Sequence, residues 1–137
     1  MSEAKFTIEP IKKTDQVNQS IKVDKKKATI KATFKSFNIK DGKYFVAYIP
    51  SLDMTGYGDS ENEAVDMLKD VMDDFFSDLI KLSLSDIDKE LAKYGWNHSK
   101  IFKKQFSNRA HVDKGGVLKG FEMPKDTPIE ENILQVA

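Results

Sequence analysis

Between Tyr44 and Ile80 the apolar pattern changes its period, and that change restricts the segment to a strand pair feeding a helix. Tyr44-Phe-Val-Ala-Tyr-Ile49 is almost wholly apolar, as expected of a strand in the middle of a sheet, and Pro50, which has no amide donor, ends it. A short loop leads to a brief strand around Thr55 to Gly58. Ser60 then precedes Glu63 at capping-box spacing, so that hydroxyl and carboxylate satisfy each other's orphan amides, and Asp59 and Glu61 add negative charge where the helix dipole favours it. Ala64, Leu68, Val71, Phe75 and Leu79, flanked by Met67, Met72, Phe76 and Ile80, form the apolar stripe of a helix that must cover the sheet.

Upstream, Ile30, Ala32 and Phe34 alternate with Thr29, Lys31, Thr33 and Lys35, the pattern of a half-buried strand. The chain passes Phe37 and Ile39 to a hairpin signal at Asp41-Gly42. Residues 1–27 alternate weakly at Phe6 and Ile8 and again at Ile21 and Val23, as an arm or added strand. Downstream, a second helix begins near Ser83 or Ser85, presents Leu84, Ile87 and Leu91, and stops at Tyr94-Gly95, after which Trp96 plugs a core edge. Ile101 to Phe106 reads as an amphipathic element. Asp113-Lys-Gly-Gly116 predicts a hairpin turn between Ala110-His-Val112 and Val117-Leu118. Thr127-Pro-Ile-Glu130 predicts a capping box opening a short helix from Ile129 to Val136. Such a helix presents Ile129, Ile133 and Leu134 as a candidate self-association or partner surface unless it docks on the protein's own core. The predicted organisation is an arm over 1–27, a domain over 28–96 and an extension over 97–137.

The formal net charge of zero conceals a segregation along the chain. Residues 1–43 carry eleven Lys against five acids, residues 44–90 three Lys against twelve acids, and the remainder eight basic residues against five acids. The middle segment is acidic because Asp66, Asp70, Asp73, Asp74 and Asp78 lie on the outer side of the long helix, a candidate surface for a basic protein partner. Two basic stretches, Lys25-Lys-Lys27 and the run Lys100, Lys103, Lys104 and Arg109 interleaved with Phe102 and Phe106, are candidate nucleic-acid contacts, although no RNP-like or GxxG signature accompanies them. A solvated strand edge is the plainer reading of the first, and an ordinary amphipathic element that of the second.

Little in the sequence points to catalysis. There is no cysteine, hence no disulfide framework, thiol nucleophile or thiolate zinc site. The two histidines, His98 and His111, have no metal-ligand spacing, so no metal site is expected. Serines fall at helix caps and loops, carboxylates on an exposed helical face, and no phosphate-binding or dinucleotide loop appears, so neither an enzyme nor a bound cofactor is expected. The N-terminal residues lack a basic segment followed by an apolar core, and no window approaches a membrane span, which predicts a soluble cytoplasmic protein.

Residues from about 30 to 96 resemble the N-terminal domain of the HicB family of bacterial antitoxins. The matching residues are Tyr44-Phe-Val-Ala-Tyr-Ile-Pro50, Gly58-Asp-Ser60, Glu63-Ala64 and Leu91-Ala-Lys-Tyr-Gly-Trp96. The resemblance implies an α+β fold, a three-stranded antiparallel meander packed on a long amphipathic helix, like a partial ribonuclease H fold without nuclease activity, here extended by a C-terminal hairpin and short helix. It implies a protein that occludes a small basic RNA-cleaving toxin and oligomerises, with Gly58 and Ser60 setting the strand-to-helix turn and Ala64 admitting the helix to the sheet. Where the family has a Pro-Asp-Leu-Pro-Gly-Cys-like loop, this chain has Pro50-Ser-Leu-Asp-Met-Thr55, and no helix-turn-helix or ribbon-helix-helix can be placed in residues 97–137. The expectation is a non-catalytic, antitoxin-like protein that binds a small basic partner or its own copy. The alternative is a nucleic-acid-binding regulator using segments 25–27 and 100–109.

Overall fold

The computed structural model describes residues 6–11, 17–110 and 112–137. Among these, the architecture is α+β, with one antiparallel sheet of eight strands and three helices. The strands are β1 (Phe6–Pro10), β2 (Gln19–Asp24), β3 (Thr29–Asp41), β4 (Tyr44–Ile49), β5 (Met54–Gly58), β6 (Asn97–His98), β7 (Gln105–Asn108) and β8 (Ile129–Val136). The helices are α1 (Glu61–Leu79), α2 (Leu84–Ala92) and α3 (Lys114–Gly120), and a 3₁₀ turn, Pro50–Leu52, links β4 to β5.

β3 organises the sheet. Along one edge its first half pairs with β2, from Ser20↔Thr33 to Asp24↔Thr29, and its last residues pair with β4, from Phe37↔Tyr48 to Asp41↔Tyr44. β8 runs along the other edge, from Ala32↔Val136 to Ile39↔Ile129. β1 lies outside β8, β7 and β6 lie outside β2, and β5 lies outside β4. The sheet therefore forks at Lys35, between the β2 and β4 branches. There the Lys35 amide donates to Gln19 Oε1 at 3.1 Å, a side chain standing in for a strand partner.

Side-chain alternation then assigns the two faces. Even-numbered Ala32 and Phe34 of β3, with Ile21, Val23, Ala47, Ile49, Phe106, Leu134 and Val136, pack against Leu68, Met72, Phe76 and Leu79 of α1 and Ile87 and Leu91 of α2. Odd-numbered Phe37 and Ile39 lie on the opposite face, beneath Val117 and Leu118 of α3. β3 thus buries one face in its first half and both in its second. Trp96 closes the larger core, its ring edge-on to Phe34 at 5.9 Å and its Nε1–H donating to the Ser51 carbonyl at 2.8 Å.

The long helix starts as its residues dictate. Ser60 Oγ accepts from the Glu63 amide at 3.1 Å and Glu63 Oε2 accepts from the Asp59 amide at 2.7 Å. α1 approaches β5 so closely that a Cβ on Gly56 would stand 2.2 Å from the Ala64 carbonyl oxygen, and one on Gly58 2.4 Å from Glu63 Cβ. The β3–β4 turn has Gly42 at φ +60°, in the left-handed region.

Three expectations for the C-terminal third are corrected. Ile101 to Phe106 is a loop running into β7, not a single amphipathic element. In place of a hairpin turn at Asp113-Lys-Gly-Gly116, Asp113 caps α3 by accepting from the Gly116 amide at 2.7 Å; His111, on the flank of that expected hairpin, lies outside the described residues. Ile129 to Val136 is not a helix but β8, inserted between β1 and β3. Its residues make two-sided ladder bonds, and a strand with a neighbour on each edge satisfies every backbone group that a lone helical turn leaves orphaned. The C-terminal third is consequently part of the sheet rather than an extension carrying a hairpin and helix.

Candidate functional site

The structure distributes the candidate residues over three regions. Asp66, Asp70, Asp74 and Asp78 recur at i,i+4 spacing along α1, with Asp73 beside them, and all five are exposed. This row faces away from the sheet, because Ala64, Leu68, Met72, Phe76 and Leu79 occupy the buried side of the same helix. The candidate self-association residues do not share a face. Leu134 is fully buried in the main core, and Ile129 and Ile133 are half-buried on the other side of β8, with Ile129 packed beneath α3.

The basic segments, distant in sequence, meet in space. β2 and β7 pair antiparallel, so the β2–β3 turn bearing Lys25, Lys26 and Lys27 and the β6–β7 loop bearing Lys100, Lys103 and Lys104 emerge at the same end of the sheet. Asp24 links them. Its Oδ1 accepts from the Lys27 amide at 3.2 Å, its Oδ2 pairs with Lys104 Nζ at 3.1 Å, and the neighbouring Val23 amide donates to the Lys104 carbonyl at 2.8 Å. The Lys27 amide, followed by the Lys104 ammonium, holds the Asp24 carboxyl below its ordinary range. Lys25 donates to the Leu82 carbonyl, tying the same turn to the end of the α1–α2 connection.

The β6–β7 loop is closely braced. Ser99 Oγ accepts from the Ile101 and Phe102 amides at 3.3 and 3.0 Å, and the Ser99 amide donates to the Gln105 carbonyl at 2.9 Å. His98 stacks on Phe106 at 4.3 Å, donates from Nε2 to the Lys103 carbonyl and brings Nδ1 to 3.4 Å from Asp88. His98 is therefore a brace for the loop. The loop in turn projects Ile101 and Phe102 into solvent, at 83% and 65% exposure, between flanking lysines.

Arg109 lies apart from this cluster, at the far end of β7, roughly 14 Å from Gln105 by strand rise. The two are joined by a cleft of about 820 Å³ that runs over the sheet between Phe102 and Arg109, floored by Gln105, Ser107, Lys35 and Glu131. Lys35 and Glu131 face each other there at 3.7 Å. The cleft occupies the part of the sheet that α3 does not reach. Its polar floor follows from alternation: Gln105 and Ser107 of β7 stand opposite Lys22 and Ser20 of β2 on this face, while Phe106 and Ile21 between them point into the core. Lys22 and the cleft floor are absent from the sequence-derived candidates, although the polar half of each strand's alternation is the signal that marks them.

Among the described residues, no group of three or more His, Asp or Glu is arranged to hold a metal ion, and no helix is long and apolar enough to cross a membrane. Comparison with protein-family models, curated proteins and solved structures found no match.

Proposed function

We propose that this chain is a non-catalytic, cytoplasmic, HicB-like binding protein that holds a small basic protein partner, a toxin in the antitoxin-like case, against the acidic face of α1. The observation that carries the reading is the exposed row Asp66, Asp70, Asp74 and Asp78 on the helix that rests on the β4–β5 branch. The antiparallel succession β3, β4, β5 followed by a capped α1 supports a partial ribonuclease H-like core, as the resemblance implies. A row of carboxylates on a rigid helix steers a cationic partner during encounter and sets its orientation, contributing to association rate more than to final affinity.

The test is a pull-down from the native cells with nuclease present, followed by association kinetics with the captured protein. Replacing Asp70, Asp73 and Asp74 by Asn should slow association on the order of tenfold at low salt and flatten its dependence on ionic strength. Capture of a small basic protein whose kinetics ignore these replacements would remove the acidic face from the reading.

A further inference from the structure

The side of the sheet opposite α1 carries a second, chemically different surface, and we infer that it binds single-stranded nucleic acid. Its charge has one dominant sign. Lys22 and Lys31 project from adjacent strands of the uncovered face, and Lys26, Lys27, Lys100 and Lys103 stand on the two turns that Asp24 fastens together. All six are exposed, and none has an ion-pair partner among the described residues. Of the acids on this side, Asp24 pairs with Lys104 and Glu131 with Lys35, while Glu9 stands exposed on β1, outside β8 and away from the lysine turns. A polyanion laid here meets several exposed ammonium groups, of which Lys22 and Lys31 stand directly opposite each other across paired strands.

Charge alone does not select one polyanion over another; the loop does. Phe102 is two-thirds exposed at the rim of the 820 Å³ cleft, on a loop held in shape by Ser99 and His98, so its ring is presented without the entropic cost of ordering a mobile segment. An exposed aromatic ring between lysines is the combination that stacks an unpaired base while neighbouring ammonium groups hold its phosphates. A duplex offers no splayed base to that ring. The cleft floor of Gln105 and Ser107 supplies donors and acceptors for base edges, and Arg109 closes the far end as a second phosphate-binding group. The cleft volume lies in the range that encloses a small ligand, here one or two nucleotides.

The experiment measures fluorescence anisotropy of single-stranded RNA and DNA oligonucleotides of about twelve nucleotides, with the matching duplexes and vesicles of anionic phospholipid as competing ligands. The full chain should bind the single strands more tightly than the duplexes, with affinity falling steeply between about 50 and 200 mM salt. Phe102→Ala should weaken single-strand binding roughly 5- to 150-fold and leave the salt dependence unchanged. Lys26→Ala with Lys103→Ala should instead reduce the slope of log affinity against log salt by about 1.4, at about 0.7 for each phosphate that is no longer neutralised. These side chains are exposed, and Trp96 fluorescence verifies that each variant is folded. The inference is overturned if no oligonucleotide binds, if duplex binds as well as single strand and Phe102→Ala changes nothing, or if only the vesicles compete.

Discussion

Substituting Gly56 by Ala tests whether the close approach of α1 to β5 governs the stability of this fold. The added Cβ would lie 2.2 Å from the Ala64 carbonyl oxygen, 2.5 Å from the Leu68 amide nitrogen and 3.0 Å from Leu68 Cα. All three are helix backbone atoms, so no side chain can rotate away, and α1 must lift from the sheet by roughly 1 Å to restore ordinary van der Waals distances. That displacement falls on Leu68, Met72, Phe76 and Leu79, the large buried side chains of the helix. At about 1.5–3 kcal/mol for each of these four buried side chains, and with a 1 Å gap forfeiting a quarter to a half of the packing energy, the loss is about 1.5–6 kcal/mol. Urea unfolding followed through Trp96, which is 2% exposed, reads this directly as a lower midpoint at constant slope. Gly120→Ala is the matched control: nothing lies within 4 Å of its Cβ, and its expected effect is a gain of about 0.5 kcal/mol from helix propensity. A Gly56→Ala protein within about 0.5 kcal/mol of the wild type would refute the argument.

Two further substitutions address the C-terminal strand and the join between the basic turns. Leu134→Ala should destabilise by about 2–5 kcal/mol in the same urea assay, because Leu134 is fully buried in the main core; a change under about 0.5 kcal/mol would place it on the surface. Asp24 has its pKa lowered by the fold, so the stability it contributes is present above its unfolded value and is lost as pH falls through the folded one. The difference in stability between wild type and Asp24→Asn should therefore hold steady above about pH 5 and shrink progressively below about pH 4; a difference that grows on acidification would contradict the assigned direction.

The parts of the fold legible in the sequence are those decided locally. The Ser60–Glu63 box forms as its spacing predicts, and Ser83 caps α2 by accepting from the Asp86 amide at 3.2 Å. β8 reads as a helix because both of its faces are occupied: Leu134 and Val136 enter one core while Ile129 lies beneath α3 on the other face, which erases simple alternation and leaves apolar residues at spacings that mimic a helix. Gly115 and Gly116 argue against a helix by propensity, yet α3 forms because Val117 and Leu118 are buried over Phe37 and Ile39, tertiary packing overriding a weak local preference. The acidic row is legible from helical period alone. The basic surface is only half legible: Lys25 to Lys27 and Lys100 to Lys104 stand out individually, but their juxtaposition depends on the pairing of β2 with β7, which no local pattern encodes.

The insertion of β8 between β1 and β3 also orders events during synthesis. β1 precedes its strand partner, which begins at residue 129, by more than a hundred residues, so it has nowhere to dock until that segment has been made. Meanwhile the β3 edge from Ala32 to Ile39, already paired on its other side, remains an open row of amides and carbonyls until the same late strand arrives. A nascent chain of this topology leaves that edge open until residues 129–136 follow, which makes it the place where shielding during synthesis would protect the chain from pairing with another copy.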